Sequence, residues 1–227
     1  KTLKETYGVS DSVISVIPNA VGDEFYPIEG FAETIGYQEL RRDLKLGDAH
    51  PIVLFVGSDH PRKNLPVALE AFTKLQKKRP DAVFLKVGDP GILAGREVTL
   101  ATIDQLSIKS SVRLLGNVSY GKLNLLYNLS DVLVFPSTYE GFGLPPLQAM
   151  AAGLPIVTSS TTSLPEVVGD AALTHDPADV DAFSSSLERL TSEREAREEY
   201  RRQGLNRAKL FSWKKAAREV QAVYQSL

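Results

Sequence analysis

The chain has 227 residues, of which 43% are apolar and 24% charged, with a formal net charge of -2 and no cysteine. The apolar share supports a real buried core and excludes a disordered or fibrous chain, while interspersed charges of both signs exclude the concentrated positive field of a nucleic-acid binder. Without cysteine there are no disulfides, thiolate metal ligands or cysteine nucleophiles.

In chain order, residues 1–16 read as a helix and a strand, the strand being the apolar run 13–17. They lead into Ile17-Pro18-Asn19-Ala20-Val21, and from Gly22 to about Ile35 the chain looks like an irregular connection. Residues 52–56, 82–87, 112–115, 132–135 and 156–157 are short runs rich in Val, Ile, Leu and Phe without clean alternation, as expected of strands covered on both faces. Helix patterns lie between them. From Asn64, a suitable cap, Leu65, Ala68, Leu69, Phe72 and Leu75 share one face, with Pro66 tolerated in the first turn. Ser119 starts another helix with Leu123, Leu126 and Tyr127 inward. Arg41-Arg42 and Lys77-Lys78-Arg79 fall at predicted helix ends, where solvation and the helix dipole account for them. Residues 193–209 read as a highly charged helix. Ser212 then caps a last one whose Trp213, Ala217, Val220, Tyr224 and Leu227 form a stripe that either closes the core or faces an absent domain. Strand–helix alternation predicts an α/β fold: a Rossmann-like, doubly wound parallel sheet with helices on both faces.

Ligands of such sheets sit outside the carboxyl ends of the strands, so the segments after each run carry the functional reading. After residues 52–56 stand Gly57-Ser58-Asp59-His60-Pro61-Arg62-Lys63-Asn64 and then a helix. Gly57 permits close backbone approach, and Arg62 and Lys63 beside a helix N-terminus suit a diphosphate; solvated surface cations are the alternative. After residues 132–135 come Pro136-Ser137-Thr138-Tyr139-Glu140-Gly141-Phe142-Gly143-Leu144-Pro145-Pro146, followed by a helix through Gln148. Gly141 and Gly143 leave bare N–H groups for a phosphate or sugar oxygen. Glu140 and Gln148, about two turns apart, are placed to reach one crevice. After residues 156–157, the string Thr158-Ser159-Ser160-Thr161-Thr162-Ser163 offers hydroxyls for a sugar pocket. Ser163 and Glu166 read equally well as a capping box for a short helix.

The stretch 136–155 resembles the signature of the family-4 retaining glycosyltransferases of the GT-B fold. So do Pro61-Arg62-Lys63-Asn64, Leu115-Gly116-Asn117-Val118, Ser163-Leu164-Pro165-Glu166, the Ile17-Pro18-Asn19 segment and the closing Phe211-Ser212-Trp213 helix. The resemblance covers nearly the whole chain in the family's order, but only the C-terminal, nucleotide-binding half of its two-domain architecture. It implies a division into residues 1–35 from the interdomain region, 36–211 as the nucleotide-sugar-binding domain, and 212–227 as a helix that packs on a missing N-terminal domain. It implies transfer of a sugar from a nucleoside diphosphate donor with retention, without metal or other cofactor, in a hexosyltransferase-type enzyme expected to be inactive as this isolated half. In the family's usual scheme the attack is front-face, with the departing phosphate assisting deprotonation of the acceptor, so the protein mainly positions groups and stabilises charge.

Carried over to this sequence, the resemblance makes Arg62, Lys63 and Glu140 the catalytic groups: two cations on the departing diphosphate and a carboxylate near the donor sugar. Gly57, Ser58, Gly141, Phe142, Gly143 and Leu144 would line the donor, with Asn117 and Val118 near the base. Two departures stand out. Gln148 replaces the second glutamate of the family's Glu-x7-Glu motif, losing a charge-assisted contact to the ribose, and Ser58 stands where many members carry Arg.

Asp179-Val180-Asp181 matches a metal-binding Asp-x-Asp, yet its setting before Phe183, Leu187 and Leu190 reads as acid at a helix start. His50, His60 and His175 show no metal-ligand spacing. Gly88-Asp89-Pro90-Gly91 lacks the spacing of a nicotinamide-cofactor loop. The alternative functions are a non-catalytic nucleotide-binding module, a subunit of a split enzyme, and a GT-B sugar-nucleotide epimerase. The expected partners are the donor and the missing acceptor domain or a partner chain. The chain begins without Met, so a native terminus is expected to be missing; no signal peptide or run of roughly 20 apolar residues is found. The expected location is cytoplasmic, at the inner face of a membrane for the full enzyme if its acceptor is lipid-linked.

Overall fold

Six strands, all parallel, form one sheet in the computed structural model, which describes residues 2–91 and 93–226. Lys1, Ile92 and Leu227, the last residue of the predicted C-terminal stripe, lie outside the described residues. The strands are β1 (Ile52–Val56), β2 (Val83–Val87), β3 (Val112–Leu115), β4 (Val132–Phe135), β5 (Ile156–Ser159) and β6 (Leu173–His175). The helices are α1 (Thr2–Tyr7), α2 (Ile35–Asp43), α3 (Leu65–Lys78), α4 (Leu93–Gln105), α5 (Tyr120–Leu129), α6 (Leu144–Ala151), α7 (Leu164–Val168), α8 (Val180–Ser192), α9 (Arg194–Ala208) and α10 (Trp213–Gln225). Among the described residues no helix is long and apolar enough to cross a membrane.

The runs that become β1, β2, β4 and β5 are interior strands because successive side chains point to opposite faces and both faces are covered, while β3 lies at the sheet edge. Ile52, Leu54 and Val56 of β1 join Leu85, Leu133 and Ile156 in one core beneath α5, α6 and α7. Val53 and Phe55 join Phe84, Val134 and Val157 in the other, beneath α3 and α8. Each fully buried large side chain contributes about 1.5–3 kcal/mol, so these two layers drive the fold. The predicted inward faces of α3 and α5 are all buried.

The strand order β3-β2-β1-β4-β5-β6 puts the first and fourth strands side by side at the centre. The winding reverses between β1 and β4, and a crevice opens there outside their carboxyl ends. The segments 57–64 and 136–143 emerge at that point.

Three features differ from the sequence-based expectations. Residues 13–17 form no strand: a 3-10 turn, Asp11–Val13, is capped by the Ser10 hydroxyl, and the chain beyond runs extended with Val13 and Val16 exposed. The run is apolar enough for a strand but has no ladder partner among the described residues. Conversely, Leu173–His175 pairs with β5 at the sheet edge, although three half-buried residues are too few to show a period. Asn64 occupies the cap position of α3 in a left-handed conformation without a side-chain cap; its amide donates instead to the carbonyls of Pro136 (3.1 Å) and Pro177 (2.7 Å). The connection after Gly22 is irregular, as expected, but it is pinned. Phe25 and Phe31 are core residues, and Asn124 and Asn128 accept the N–H groups of Tyr26 and Ile28.

Candidate active site

Pro61 places a 3-10 turn, Pro61–Lys63, directly after the β1 segment, and His60 caps it by accepting the Arg62 N–H at Nδ1 (3.2 Å). That turn drives the Lys63 side chain inward, 9% exposed, along Gly57, where any Cβ would lie 3.4 Å from Lys63 Cδ. The lysine Nζ stands 4.9 Å from the Phe135 ring centre and 2.5 Å from Glu140 Oε1. Arg62 Nη1 lies 3.1 Å from the same carboxylate oxygen and 3.1 Å from the Tyr139 carbonyl. The Ser137 hydroxyl, 2.7 Å from Glu140 Oε1 and 2.9 Å from the Arg62 carbonyl, donates to one of them at a time. Burial lowers the Lys63 pKa from its ordinary value, with the hydrogen bond to Glu140 opposing that shift and Arg62 reinforcing it.

The third segment fastens the second. Thr162 Oγ1 accepts the Glu140 N–H (3.1 Å), and the Ser163 hydroxyl reaches the carbonyls of Glu140 (3.0 Å) and Phe142 (2.9 Å). Ser163 therefore makes no capping box with Glu166: its own backbone is already helical and its hydroxyl is engaged across the crevice. Gly143 sits at φ +108°, and a Cβ there would meet Leu164 Cδ2 at 2.8 Å, so only glycine lets α7 approach this closely. Pro145 and Pro146 remove two donors from the first turn of α6. The N–H groups of Gly141, Phe142, Gly143 and Leu144 remain, and among the described residues none of the four has a hydrogen-bond partner. Consecutive free N–H groups of this kind form an anion receptor.

Arg62, Lys63, Glu140, Gly57 and the Gly141-to-Leu144 run are thus brought together at one point. The other expected donor-lining residues have contacts of their own. Gln148 is half-buried, its Oε1 3.1 Å from the hydroxyl of Tyr127, whose pKa burial raises strongly, so that the hydroxyl stays a donor. Asn117 Nδ2 donates to Asp89 Oδ2 (3.3 Å), tying the segment after β3 to the segment after β2. Val118 packs against the core, and Ser58 faces Gly91.

Sequence reasoning missed a second charged cluster. Lys86, fully buried in β2, places Nζ 2.5 Å from Asp59 Oδ1, 2.9 Å from the Gly88 carbonyl and 3.2 Å from the Asp89 carbonyl. Arg96 of α4 holds the other Asp59 oxygen at 2.8 Å. Burial lowers the Lys86 pKa, with the hydrogen bond to Asp59 opposing. Its sequence signal was a lone charge inside the run Val83-Phe84-Leu85-Lys86-Val87, which a strand buried on both faces accommodates only with partners. Asp179 caps α8 through the Ala182 N–H (2.9 Å), as its setting predicted, and Asp181 pairs with Lys74 (2.5 Å).

Comparison with known proteins follows the same geometry. The profile of the glycosyl transferases group 1 family matches residues 36–207. O-antigen chain mannosyltransferase B of Escherichia coli is 37% identical over 179 residues, 77% of this chain and 45% of that protein. The chain therefore spans under half the length of that relative. Two solved structures share the fold. One is Anabaena HepE in complex with UDP and glucose, with a TM-score of 0.85 at 18% identity over 97% of this chain and 59% of that one. The other is the C-terminal domain of the group 1 family protein LpcC from Francisella tularensis, with a TM-score of 0.71 at 22% identity over 84% of this chain and 97% of that one. With a six-stranded parallel sheet of GT-B type and a family match across most of its length, the chain belongs to the group 1 glycosyl transferases.

Proposed function

We propose that this chain supplies the donor-binding half of a retaining glycosyltransferase that moves a hexosyl group from a nucleoside diphosphate to an acceptor held by a second domain or chain. The observation that carries the reading is the convergence of Arg62, Lys63 and Glu140 with four N–H groups that have no partner among the described residues, at the switch point between β1 and β4. In this reading the guanidinium and the ammonium stabilise the charge that develops on the departing diphosphate, where other transferases use a metal. The N–H groups of Gly141, Phe142, Gly143 and Leu144 bind sugar or phosphate oxygens. Glu140 orients the sugar through its hydroxyls. Support for the half-enzyme assignment comes from the 45% coverage of the mannosyltransferase relative and from the nearly complete coverage of an isolated C-terminal domain.

Titration calorimetry with UDP, GDP and ADP, with and without magnesium, tests the proposal. One nucleotide is expected to bind selectively and equally in both buffers, with Lys63→Ala weakening it at least tenfold. Binding that requires magnesium, or that Lys63→Ala leaves unchanged, would remove the diphosphate role of this cluster.

A further inference from the structure

Glu140 is a single carboxylate facing two cations, and one of its oxygens does the work. Oε1 lies 2.5 Å from the Lys63 ammonium, 3.1 Å from the Arg62 guanidinium and 2.7 Å from the Ser137 hydroxyl, at 8% side-chain exposure. A phosphate oxygen that reaches Lys63 bonds the same ammonium as this oxygen and comes close beside it. Two anions at that depth repel each other, so Glu140 and a diphosphate compete for the same cations. Building on the donor-site reading above, we infer that Glu140 is an internal counter-ion that occupies the diphosphate subsite in the empty chain, and that it sets the preference for an intact sugar donor over a bare diphosphate.

The preference follows from what happens to the displaced carboxylate. Once its cations turn to the phosphates, Glu140 is left buried and in need of hydrogen-bond donors. A sugar on the diphosphate brings hydroxyl groups that donate to it. A bare diphosphate brings no sugar hydroxyl, and at neutral pH it meets the carboxylate as a polyanion. The same asymmetry speeds departure of the diphosphate product, because Glu140 reclaims Lys63 as soon as the sugar has gone. The neighbouring contacts favour such an exchange. Ser137 has an alternative acceptor in the Arg62 carbonyl, and Arg62 keeps the Tyr139 carbonyl when it lets go of the carboxylate. Lys63 is buried enough for its pKa to fall, so whichever anion replaces Glu140 has to sustain its charge in turn.

Inorganic pyrophosphate, which has neither base nor sugar, is the probe. Its dissociation constant is measured at pH 7 without divalent cations for the wild type, Glu140→Gln, Glu140→Ala and Lys63→Met, with thermal unfolding confirming that each variant is folded. Glu140→Gln and Glu140→Ala are two routes to the same loss of charge, so the failure of one to fold leaves the other. The expected result is at least tenfold tighter pyrophosphate binding in both, and loss of binding in Lys63→Met. If the Glu140 variants match the wild type or bind more weakly while Lys63→Met loses binding, the diphosphate site stands and the counter-ion role is overturned. If Lys63→Met binds as the wild type does, the donor-site reading itself falls.

Discussion

Lys86 shows how a single side chain can organise a crevice without lining it. Its ammonium collects one carboxylate oxygen and two main-chain carbonyls at the carboxyl end of β2, joining the Asp59 segment after β1 to the Gly88 segment after β2. The two segments also meet through backbone: a Cβ on Gly88 would stand 2.6 Å from the Gly57 carbonyl oxygen. Removing one member of a buried ion group leaves its partner charged and desolvated, which costs about 3–5 kcal/mol. Lys86→Met, close in shape but unable to bond Asp59, is therefore expected to lose about that much in urea-induced unfolding, and adding Asp59→Asn to it should restore part of the loss. A change in the single variant below 1 kcal/mol would mean that Arg96 alone satisfies Asp59. Legibility in sequence divides along the same line. Arg62, Lys63 and Glu140 stand in segments whose spacing after a strand marks them, whereas the Lys86–Asp59–Arg96 group joins three elements by long-range packing that no local pattern encodes. Thr162 and Ser163 were seen as hydroxyls, but not that they fasten the Glu140 backbone.

At the scale of elements, β1 and β4 matched their apolar runs because burial on both faces makes the run and the strand the same object, and β3, half-buried at the sheet edge, matched its run as well. β5 extends past its apolar run through Thr158 and Ser159, whose hydroxyls find the carbonyls of Phe135 and Ser137 and so tolerate complete burial. β6 was invisible, being three residues long, and α8 holds it in place through a polar contact: His175 Nε2 lies 2.6 Å from the Ser186 hydroxyl. That contact makes a pH prediction. Burial lowers the His175 pKa below its ordinary value of 6.5, with Asp179 opposing. The native chain therefore binds fewer protons than the unfolded chain just below pH 6.5, so stability falls as the pH drops from that value towards the native pKa. Well above pH 6.5 both states are neutral and the contribution is complete. His175→Gln keeps a hydrogen-bonding group for Ser186 without titrating. Its unfolding free energy, followed from pH 8 down to pH 5, should decline less steeply than that of the wild type, and parallel profiles would show that His175 titrates alike in both states.

For the whole molecule, the question is which apolar surface belongs to its own core. The two sheet faces are closed by α3 and α8 on one side and by α5, α6 and α7 on the other, with α9 reaching both. α10 stands apart from them: Ala216 is its one buried residue, while Trp213, Val220 and Tyr224 are 56%, 40% and 73% exposed. Val16, itself exposed, lines one cavity together with Phe211, which precedes α10. A solvent-facing apolar stripe along one helix suits contact surface rather than core, which agrees with the proposal that a second half completes the enzyme. Substituting both Trp213 and Tyr224 by Ser is therefore expected to change the unfolding free energy of this chain by no more than about 0.5 kcal/mol, the range of ordinary surface substitutions, while reducing self-association in sedimentation velocity. The two readouts separate the alternatives. A stability loss above 2 kcal/mol would place the stripe in the core of this unit and leave the second half without a docking face on α10. Unchanged stability with less self-association would identify the face as one kept apolar for another surface.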